Sequence, residues 1–418
     1  MVSNDHASAS DAAPAQRLDG QKTVVVVGTG YVGLPAAVML AHAGYRVVGI
    51  DINENIVRAI NEGVLHIDEA DLQGLMQDPV VQQNLRARNR PCEGDIFIIA
   101  VPTPLDERKK VADMSYVISA VESIVPVLGN GNLIIIESTI PPLTCREIVT
   151  PLLEESGLSV GEEIFLAHCP ERILPGNIFY EIVHNDRIIG SASEEGRRLA
   201  KEMYQSFVVG NLYETDDVTA ELCKLVENTY RDVNIALANE VNAVAERLGA
   251  DGKEVIALAN KHPRVNLLQP GIGVGGHCIP IDPWFIKEVD PANSRLIFTA
   301  RLVNDEMPMR TAAKIRASVA GIPSPRVLIL GATYKPDTYD LRESPALEVV
   351  EILKGDGYCV EVYDPLTKEY PMHKPLSQLA VGADCLVILV PHQHMIRELA
   401  SSYEQIRSVM RTPIILRF

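Results

Sequence analysis

Residues 23–45, TVVVVGTGYVGLPAAVMLAHAGY, carry no formal charge, and this stretch restricts the fold more than any other. Its length would suffice for a membrane-spanning helix. Glycines at 28, 30 and 33 interrupt it, however, and its first part is β-branched whereas its second is rich in Ala and Leu. That order describes a buried strand, a glycine turn and a buried helix, with no membrane span. The turn GTGYVG opens the helix, and Asp51 ends the next apolar run, RVVGI. Gly28 permits the tight turn, Gly30 lets the backbone approach a pyrophosphate, and Gly33 lets helix and strand pack closely. The helix N-terminus offers N–H groups and a positive dipole to phosphates. Asp51 would accept hydrogen bonds from ribose hydroxyls, which favours NAD over NADP. A purely structural glycine turn is the competing reading; the strand before, the helix after and the distal acid together favour the dinucleotide site.

The alternation of short apolar runs and helical stretches continues to Ile140. Strands are predicted at 23–28, 46–50, 95–101 and 133–138, with helical periodicity at 33–43 and a more polar stretch at 52–90. Further strands follow at 164–170 and 186–191, then a helix near 194–206. Near-continuous apolar strands separated by helices indicate a parallel sheet covered on both faces. From Asp216 to Leu248 there is no Pro or Gly, and Ala, Leu, Val and Glu dominate. One helix of about thirty residues, roughly 45–50 Å long and stopped at Gly249, is predicted there. Its length suits a domain crossing and a homodimer surface. Shorter helices are expected at 252–261 and 294–318. After GIPSPR (321–326) the pattern restarts, with strands at 326–331, 359–365 and 384–390 and a helix at 344–357. The expected fold class is α/β, two Rossmann-like doubly wound parallel-sheet domains joined by a long central helix. The expected boundaries are a disordered leader at 1–21, one Rossmann-like domain at 22–212, a helical dimerisation domain at 213–320 and a second Rossmann-like domain at 321–418.

At 418 residues, 47% hydrophobic and 22% charged, the chain has the composition of a multi-domain globular protein. Its 55 acidic residues outnumber 38 basic ones, and the formal charge of −17 argues against a general surface for nucleic acid or anionic membrane. A local cationic pocket stays compatible with that excess. The opening MVSNDHASASDAAPAQRLDGQ lacks the basic-then-apolar order of a signal peptide. Seven scattered cysteines without a C-x-x-C pair read as reduced thiols of a cytoplasmic protein with no metal site.

Three further patterns carry chemistry. In PGIGVGGHCIPIDPW (270–284) the glycines 271, 273, 275 and 276 make a loop suited to closing around a ligand, and Cys278 follows with His277 and Asp282 beside it. A thiolate there would attack an aldehyde; an inert, buried thiol is the alternative, and it is the reading for the other six cysteines. Lys224, Asn228 and Arg231 fall at i, i+4 and i+7 on one face of the long helix. They form either a solvated stripe or, given their apolar flanks, the lining of a cleft. Glu171 and Arg172, His262 and Arg264, Lys335, and Arg342 lie in loops beside Pro and Gly, where positions that bind phosphate and carboxylate are often built.

Taken together, ELCKLVENTYRDVNIALANE (221–240), GVGGHCIPIDP (273–283) and YKPDTYDLRESPA (334–346) resemble the UDP-glucose/GDP-mannose dehydrogenase family. The likeness covers residues 22 to 412. CPERILPG and HPRVNLLQPG make the chain most similar to members acting on UDP-N-acetylhexosamines, UDP-N-acetylmannosamine foremost, with UDP-N-acetylglucosamine and UDP-glucose as the alternatives. The resemblance implies a UDP-sugar substrate and a four-electron oxidation of its C6 alcohol, with two NAD consumed per turnover. It makes Cys278 the nucleophile, Lys224 the acid/base and oxyanion stabiliser, Asn228 and Asp282 the groups arranging oxyanion and water, and Glu171 a carboxylate involved in water activation. By the same likeness Arg172, Ile173, Lys224, Asn228, Arg231, His262, Arg264, Gly275, Tyr334 and Lys335 bind the UDP-sugar. Gly28, Gly30, Tyr31, Val32, Gly33, Asp51, Thr103, Thr139 and Arg342 bind NAD, and the last domain binds the UDP-sugar. Three positions depart from the family: Ile56 stands where many relatives carry Lys, Tyr334 where Phe is common, and Ile279-Pro280 is closer to the N-acetylglucosamine enzymes. A two-electron hydroxyacid-type dehydrogenase shares the first lobe and the long helix but has no use for a cysteine in a glycine loop. A non-catalytic nucleotide-sugar sensor would have lost Lys224 or Cys278.

Overall fold

Every strand foreseen in the first lobe is present in the computed structural model, which describes residues 21–67, 69–173, 176–370 and 374–418. The leader expected at 1–21 lies, apart from Gln21, outside the described residues. The chain divides into two compact units, one formed by residues up to Thr103 with Asp113–Glu221, the other by Pro104–Ala112 with Leu222–Phe418.

The first unit is built on eight strands: β1 (Thr23–Val27), β2 (Arg46–Ile50), β3 (Leu85–Arg88), β4 (Ile96–Ile99), β5 (Leu133–Ile136), β6 (Phe165–His168), β7 (Arg187–Gly190) and β8 (Leu212–Thr215). Their order in the sheet is β8-β7-β6-β5-β4-β1-β2-β3. All pairs are parallel except β6 with β7. In β1 the valines divide by parity: Val24 and Val26 join one apolar cluster and Val25 and Val27 another. A strand with a core on each face has no polar side, which is why TVVVV reads as continuous apolar sequence. Helix α1 (Gly33–His42) buries Gly33 through Ala41, so the uncharged 23–45 segment belongs to a globular core. The strands β3 and β8, not foreseen, are edge strands, and LRAR alternates buried with exposed. One buried face is enough to hold β3, so it needed no apolar run, and LYET of β8 has no fully buried residue at all.

In the second unit, α2 (Asp217–Leu248) is a single helix of 32 residues that begins within the first unit. It stops where Gly249 adopts φ +79° and the Ala250 N–H bonds to Ala245 O. The helix α3 (Gly252–Ala259) follows, capped by the Asp251 carboxylate, and α4 (Asp282–Val289) comes after the glycine loop. The single helix expected at 294–318 is instead two, α5 (Arg295–Asp305) and α6 (Met307–Ser318), because Pro308 lies at the start of the second and cannot continue a hydrogen-bonded turn. A four-stranded parallel sheet completes the unit: β9 (Arg326–Leu330), β10 (Cys359–Tyr363), β11 (Cys385–Ile388) and β12 (Ile414–Arg417), in the order β10-β9-β11-β12. Val327 and Ile329 face one core and Leu328 and Leu330 the other, with α7 (Pro345–Gly355) over the first. The α/β class with two parallel-sheet lobes and a long helix is therefore the architecture observed. Among the described residues no helix is long and apolar enough to cross a membrane, and no group of three His, Cys, Asp or Glu is placed to hold a metal ion.

Candidate active site

Strand order reverses between β1 and β4, and in open α/β sheets the crevice at the carboxyl ends of such a pair is where a nucleotide sits. The turn there could not be built with larger residues. A Cβ on Gly33 would overlap the Gly28 carbonyl oxygen, and one on Gly28, at φ +90°, would stand 2.6 Å from Ala100 O. Gly30 differs: apart from its own and its chain neighbours' atoms, no atom of the described residues lies within 4 Å of where its Cβ would be. Open space over Gly30, and an α1 N-terminus without a side-chain cap, leave N–H groups facing a cradle that fits a pyrophosphate. Tyr31 is exposed and Val32 half-buried beside it. Asp51 follows β2 and accepts from Thr29 N at 3.2 Å, Thr29 Oγ1 at 2.8 Å and Asn53 N at 2.9 Å, so its carboxylate is oriented before any ribose arrives. Thr103 and Thr139 lie half-buried beyond the ends of β4 and β5. Ile56 packs against the apolar core.

The second unit holds the nucleophile candidate. Cys278 is exposed, and its carbonyl accepts from Ile281 N at 3.1 Å and Asp282 N at 2.9 Å, which folds the loop onto the start of α4. Buried Asp282 receives a hydrogen bond from Asn228 Nδ2 at 2.5 Å, and Arg231 NH2 donates to Asn228 Oδ1. Arg231, Asn228 and Asp282 thus form one relay from the face of α2 to the helix after Cys278. The stripe at 224, 228 and 231 is not simply solvated, since Asn228 is buried and Lys224 is half-buried. Burial pushes the Asp282 carboxyl up to about 6, against the opposing pull of the Lys224 charge, the Asn228 bond and Arg231. The Cys278 thiol is open on one side but crowded by protein; this desolvation and the Asp282 charge raise it, while Lys224 and Arg231 pull it down.

Against this cluster packs the loop from Thr333 to Glu343. A Cβ on Gly276 would meet the Tyr334 ring at 2.9 Å, so the glycine is what lets Tyr334 close over the loop that carries Cys278. Gly275 is similarly hemmed in by Glu343 O and Tyr334. Asp340 binds Arg342 through both carboxylate oxygens, at 2.9 and 2.8 Å, and His277 at 3.3 Å. Burial would raise Asp340, but the bonds from Arg342 and the His277 charge outweigh it and hold the carboxyl at about 2. Lys335 is half-buried, its ammonium 5.6 Å from the Tyr334 ring centre. His262 and Arg264 lie on an exposed turn after α3, tied to α2 by Asn234, which donates to Asn266 O and accepts from Leu268 N.

Glu171, Arg172 and Ile173 belong to the first unit. Both oxygens of Glu171 are engaged, Oε1 by Arg172 N at 2.7 Å and Oε2 by the buried Arg187 at 2.5 Å. The Arg172 guanidinium donates to Asp186 O. Arg187 is also 3.7 Å from Glu137, which accepts from Tyr204 Oη at 2.6 Å; burial raises Glu137 to about 7. The water-activating role expected of Glu171 thus falls to a carboxylate already bonded on both oxygens.

Family models match in three consecutive segments. They are the NAD binding domain at residues 22–208, the central domain at 218–306 and the UDP binding domain at 328–417 of the UDP-glucose/GDP-mannose dehydrogenase family. The chain belongs to this family. It is a nucleotide-sugar dehydrogenase that uses NAD. It is 47% identical over 378 residues to the UDP-N-acetyl-D-mannosamine dehydrogenase of Methanococcus maripaludis, covering 89% of this chain and 86% of that one. It is 42% identical over 405 residues to the NDP-N-acetyl-D-galactosaminuronic acid dehydrogenase of Ralstonia solanacearum, covering 94% and 95%. The solved UDP-D-ManNAc dehydrogenase of Pyrococcus horikoshii matches with a TM-score of 0.88 at 41% identity, covering 94% of each chain.

Within this nucleotide-sugar dehydrogenase the structure brings together Cys278, Lys224, Asn228, Arg231, Asp282 and Tyr334, which the sequence scatters over more than a hundred positions. Sequence reasoning missed Arg187, which holds Glu171, and Asp364 and His392 in the UDP binding domain. Asp364 had a signal: like Asp51, it is an acid placed just after an apolar strand, CVEVY. The other two had none, since a lone Arg or His in sequence does not disclose its partner. Cys359 departs from the reading of inert buried thiols, for it is exposed at the start of an edge strand.

Proposed function

We propose that this enzyme oxidises the C6 alcohol of a UDP-N-acetylhexosamine, UDP-N-acetylmannosamine in the first place, to the carboxylate. The observation that carries the reading is an accessible Cys278 next to a buried carboxylate, Asp282, whose pKa of about 6 leaves it ionised and basic at neutral pH. The sugar rests on the names of the relatives most like the chain. The turn at Gly28–Gly33, with Asp51, Thr103 and Thr139, would hold NAD, which when bound supplies the hydride acceptor, two being needed per carboxylate formed.

Asp282 accepts the proton of the C6 hydroxyl, directly or through one water, while C6 gives up its first hydride and becomes an aldehyde. The relay Arg231–Asn228 fixes the direction of the Asp282 carboxylate so that one oxygen stays available. Cys278 Sγ then bonds to the aldehyde carbon, its proton ending on the former carbonyl oxygen as a thiohemiacetal. Loss of a second hydride and of the hydroxyl proton leaves a thioester. Water adds, the C–S bond breaks and the thiol is restored. In sum one alcohol and one water become one carboxylate, two hydrides and three protons. The Lys224 ammonium stabilises the negative oxygen present at each addition, an effect worth ~3–4 kcal/mol per preorganised donor. Covalent capture also keeps the aldehyde from escaping. The Glu171–Arg187 pair is read as a support for the Arg172 segment, and Arg172 and Ile173, with His262, Arg264, Tyr334 and Lys335, as contacts to the UDP-sugar.

Supplying NAD with UDP-N-acetylmannosamine, UDP-N-acetylglucosamine, UDP-N-acetylgalactosamine and UDP-glucose in separate reactions tests this. The highest kcat/KM is expected with UDP-N-acetylmannosamine, with two NADH per uronate. One NADH per substrate would overturn the four-electron reading, and a better substrate among the others would overturn the sugar.

The enzyme is also proposed to be a cytoplasmic homodimer. Leu222, Val226, Tyr230, Leu237, Val244 and Leu248 are 40–74% exposed, and at helical spacing they fall within a sector of about 80° along α2. A stripe of that length, roughly 39 Å from end to end, suits pairing with a second copy of the same helix. Leu237→Glu combined with Val244→Glu should convert a species of twice the chain mass to one of the chain mass in sedimentation equilibrium. An unchanged mass would rule the stripe out as the interface.

A further inference from the structure

Hydrogen bonds from two loops converge on a buried histidine in a third, one that the chemistry above does not use. His392 and Asp364 are fully buried. Thr333 lies just beyond β9, Asp364 just beyond β10 and His392 just beyond β11, at the carboxyl ends of the strands where the order of this sheet reverses. The Asp337 N–H donates to His392 Nδ1 at 2.9 Å. That nitrogen therefore carries no proton, and Nε2–H donates to Asp364 Oδ2 at 2.9 Å, with Thr333 Oγ1 3.3 Å away. The Thr333 hydroxyl in turn donates to Lys335 O at 2.9 Å, and Asp364 Oδ2 accepts from Ala332 N at 2.7 Å. Asp337 has φ +56°, a conformation costly for a residue with a Cβ, and its carboxylate accepts from Gln393 N at 2.9 Å.

Two residues of the same loop, Tyr334 and Lys335, are half-buried, the Tyr334 ring lying against Gly276, and the whole arrangement lies in the segment that matches the UDP binding domain. We propose that His392 is a positioning residue for the UDP moiety: through Nδ1 it holds Asp337 in the left-handed conformation, and so sets Tyr334 and Lys335 before ligand arrives. A loop ordered in advance spares the ligand the entropy of ordering it, so the anchorage should be read out in nucleotide affinity. This inference rests on the UDP-sugar reading.

Calorimetric titration of the full-length protein with UDP separates the possibilities. In His392→Ala the acceptor for Asp337 is gone, and the UDP Kd should rise at least tenfold. In His392→Asn the Oδ1 stands near the place of Nδ1 and accepts from Asp337, so the Kd should return to within threefold of the parent. Both variants lose the bond to Asp364 and should lose a similar amount of Tm, whereas a merely structural role would make affinity follow Tm in both. NADH affinity should stay constant throughout. Equal Kd in all three proteins, or equal losses in both variants, would overturn the positioning role. A parent protein that does not bind UDP would overturn the UDP-sugar reading, and this inference with it.

Discussion

Replacing Cys278 by Ser is expected to stop uronate formation, with steady-state NADH production falling on the order of 10³-fold or more. A serine hydroxyl at this place has neither the acidity nor the polarisability of a thiol, and the adjacent His277 imidazole is bonded to Asp340. Burial and Asp282 already hold the Cys278 thiol up, so the sulfur attacks in step with loss of its proton. An alcohol, far less acidic, would be stalled at that step. Cys359→Ser is the control, because Cys359 is also exposed but stands on the edge of the second sheet, and its rate should equal that of the parent. Intact-protein mass spectrometry during turnover should show a covalent sugar-nucleotide adduct on the parent and none on Cys278→Ser. A serine variant within tenfold of the parent rate would remove the thioester route.

Lys224→Ala is expected to lower kcat by ~10²–10³-fold, the usual effect of removing one oxyanion donor, and to move the acid limb of the pH profile. Asp282 must be ionised to accept a proton, so kcat/KM should fall as pH drops through about 6. Among the groups that favour its ionised form, Lys224 is the strongest. Without that charge the Asp282 pKa rises, and the acid limb should shift to higher pH. Lys224→Arg keeps a positive charge and should leave the limb near its original place while kcat stays low, because the guanidinium fork cannot take the position of a single ammonium. An acid limb that stays put in Lys224→Ala would show that another group carries it.

Much of this enzyme is legible in contiguous sequence, and the exceptions share a cause. The strand–turn–helix at 23–42 could be read because every residue that makes it is local: valines for two cores, glycines where a Cβ would collide, an apolar helix after them. The long helix could be read for the same reason. The strands LRAR and LYET could not, since an edge position relaxes the demand for apolar residues that marks a central strand; IILR is apolar but too short for periodicity to name it a strand. The single helix expected at 294–318 is broken in two, since apolar periodicity continues across Pro308 while the hydrogen bonds do not.

In the site the division is sharper. Residue types alone leave Cys278 as nucleophile or inert thiol, and 224, 228 and 231 as a solvated stripe, with a cleft lining as the alternative. Asn228 meets Asp282, 54 residues away, and His392 meets Asp364 and Asp337, 28 and 55 residues away. No periodicity joins positions so far apart. The α/β class, the dinucleotide turn and the residue types available for chemistry are written in local sequence, because they follow from short-range sterics and burial patterns. Which of those residues meet, the rise of the Asp282 carboxyl to about 6 and the hold of Arg187 on Glu171 come from the folded chain, because desolvation and charge act through space between segments far apart in sequence.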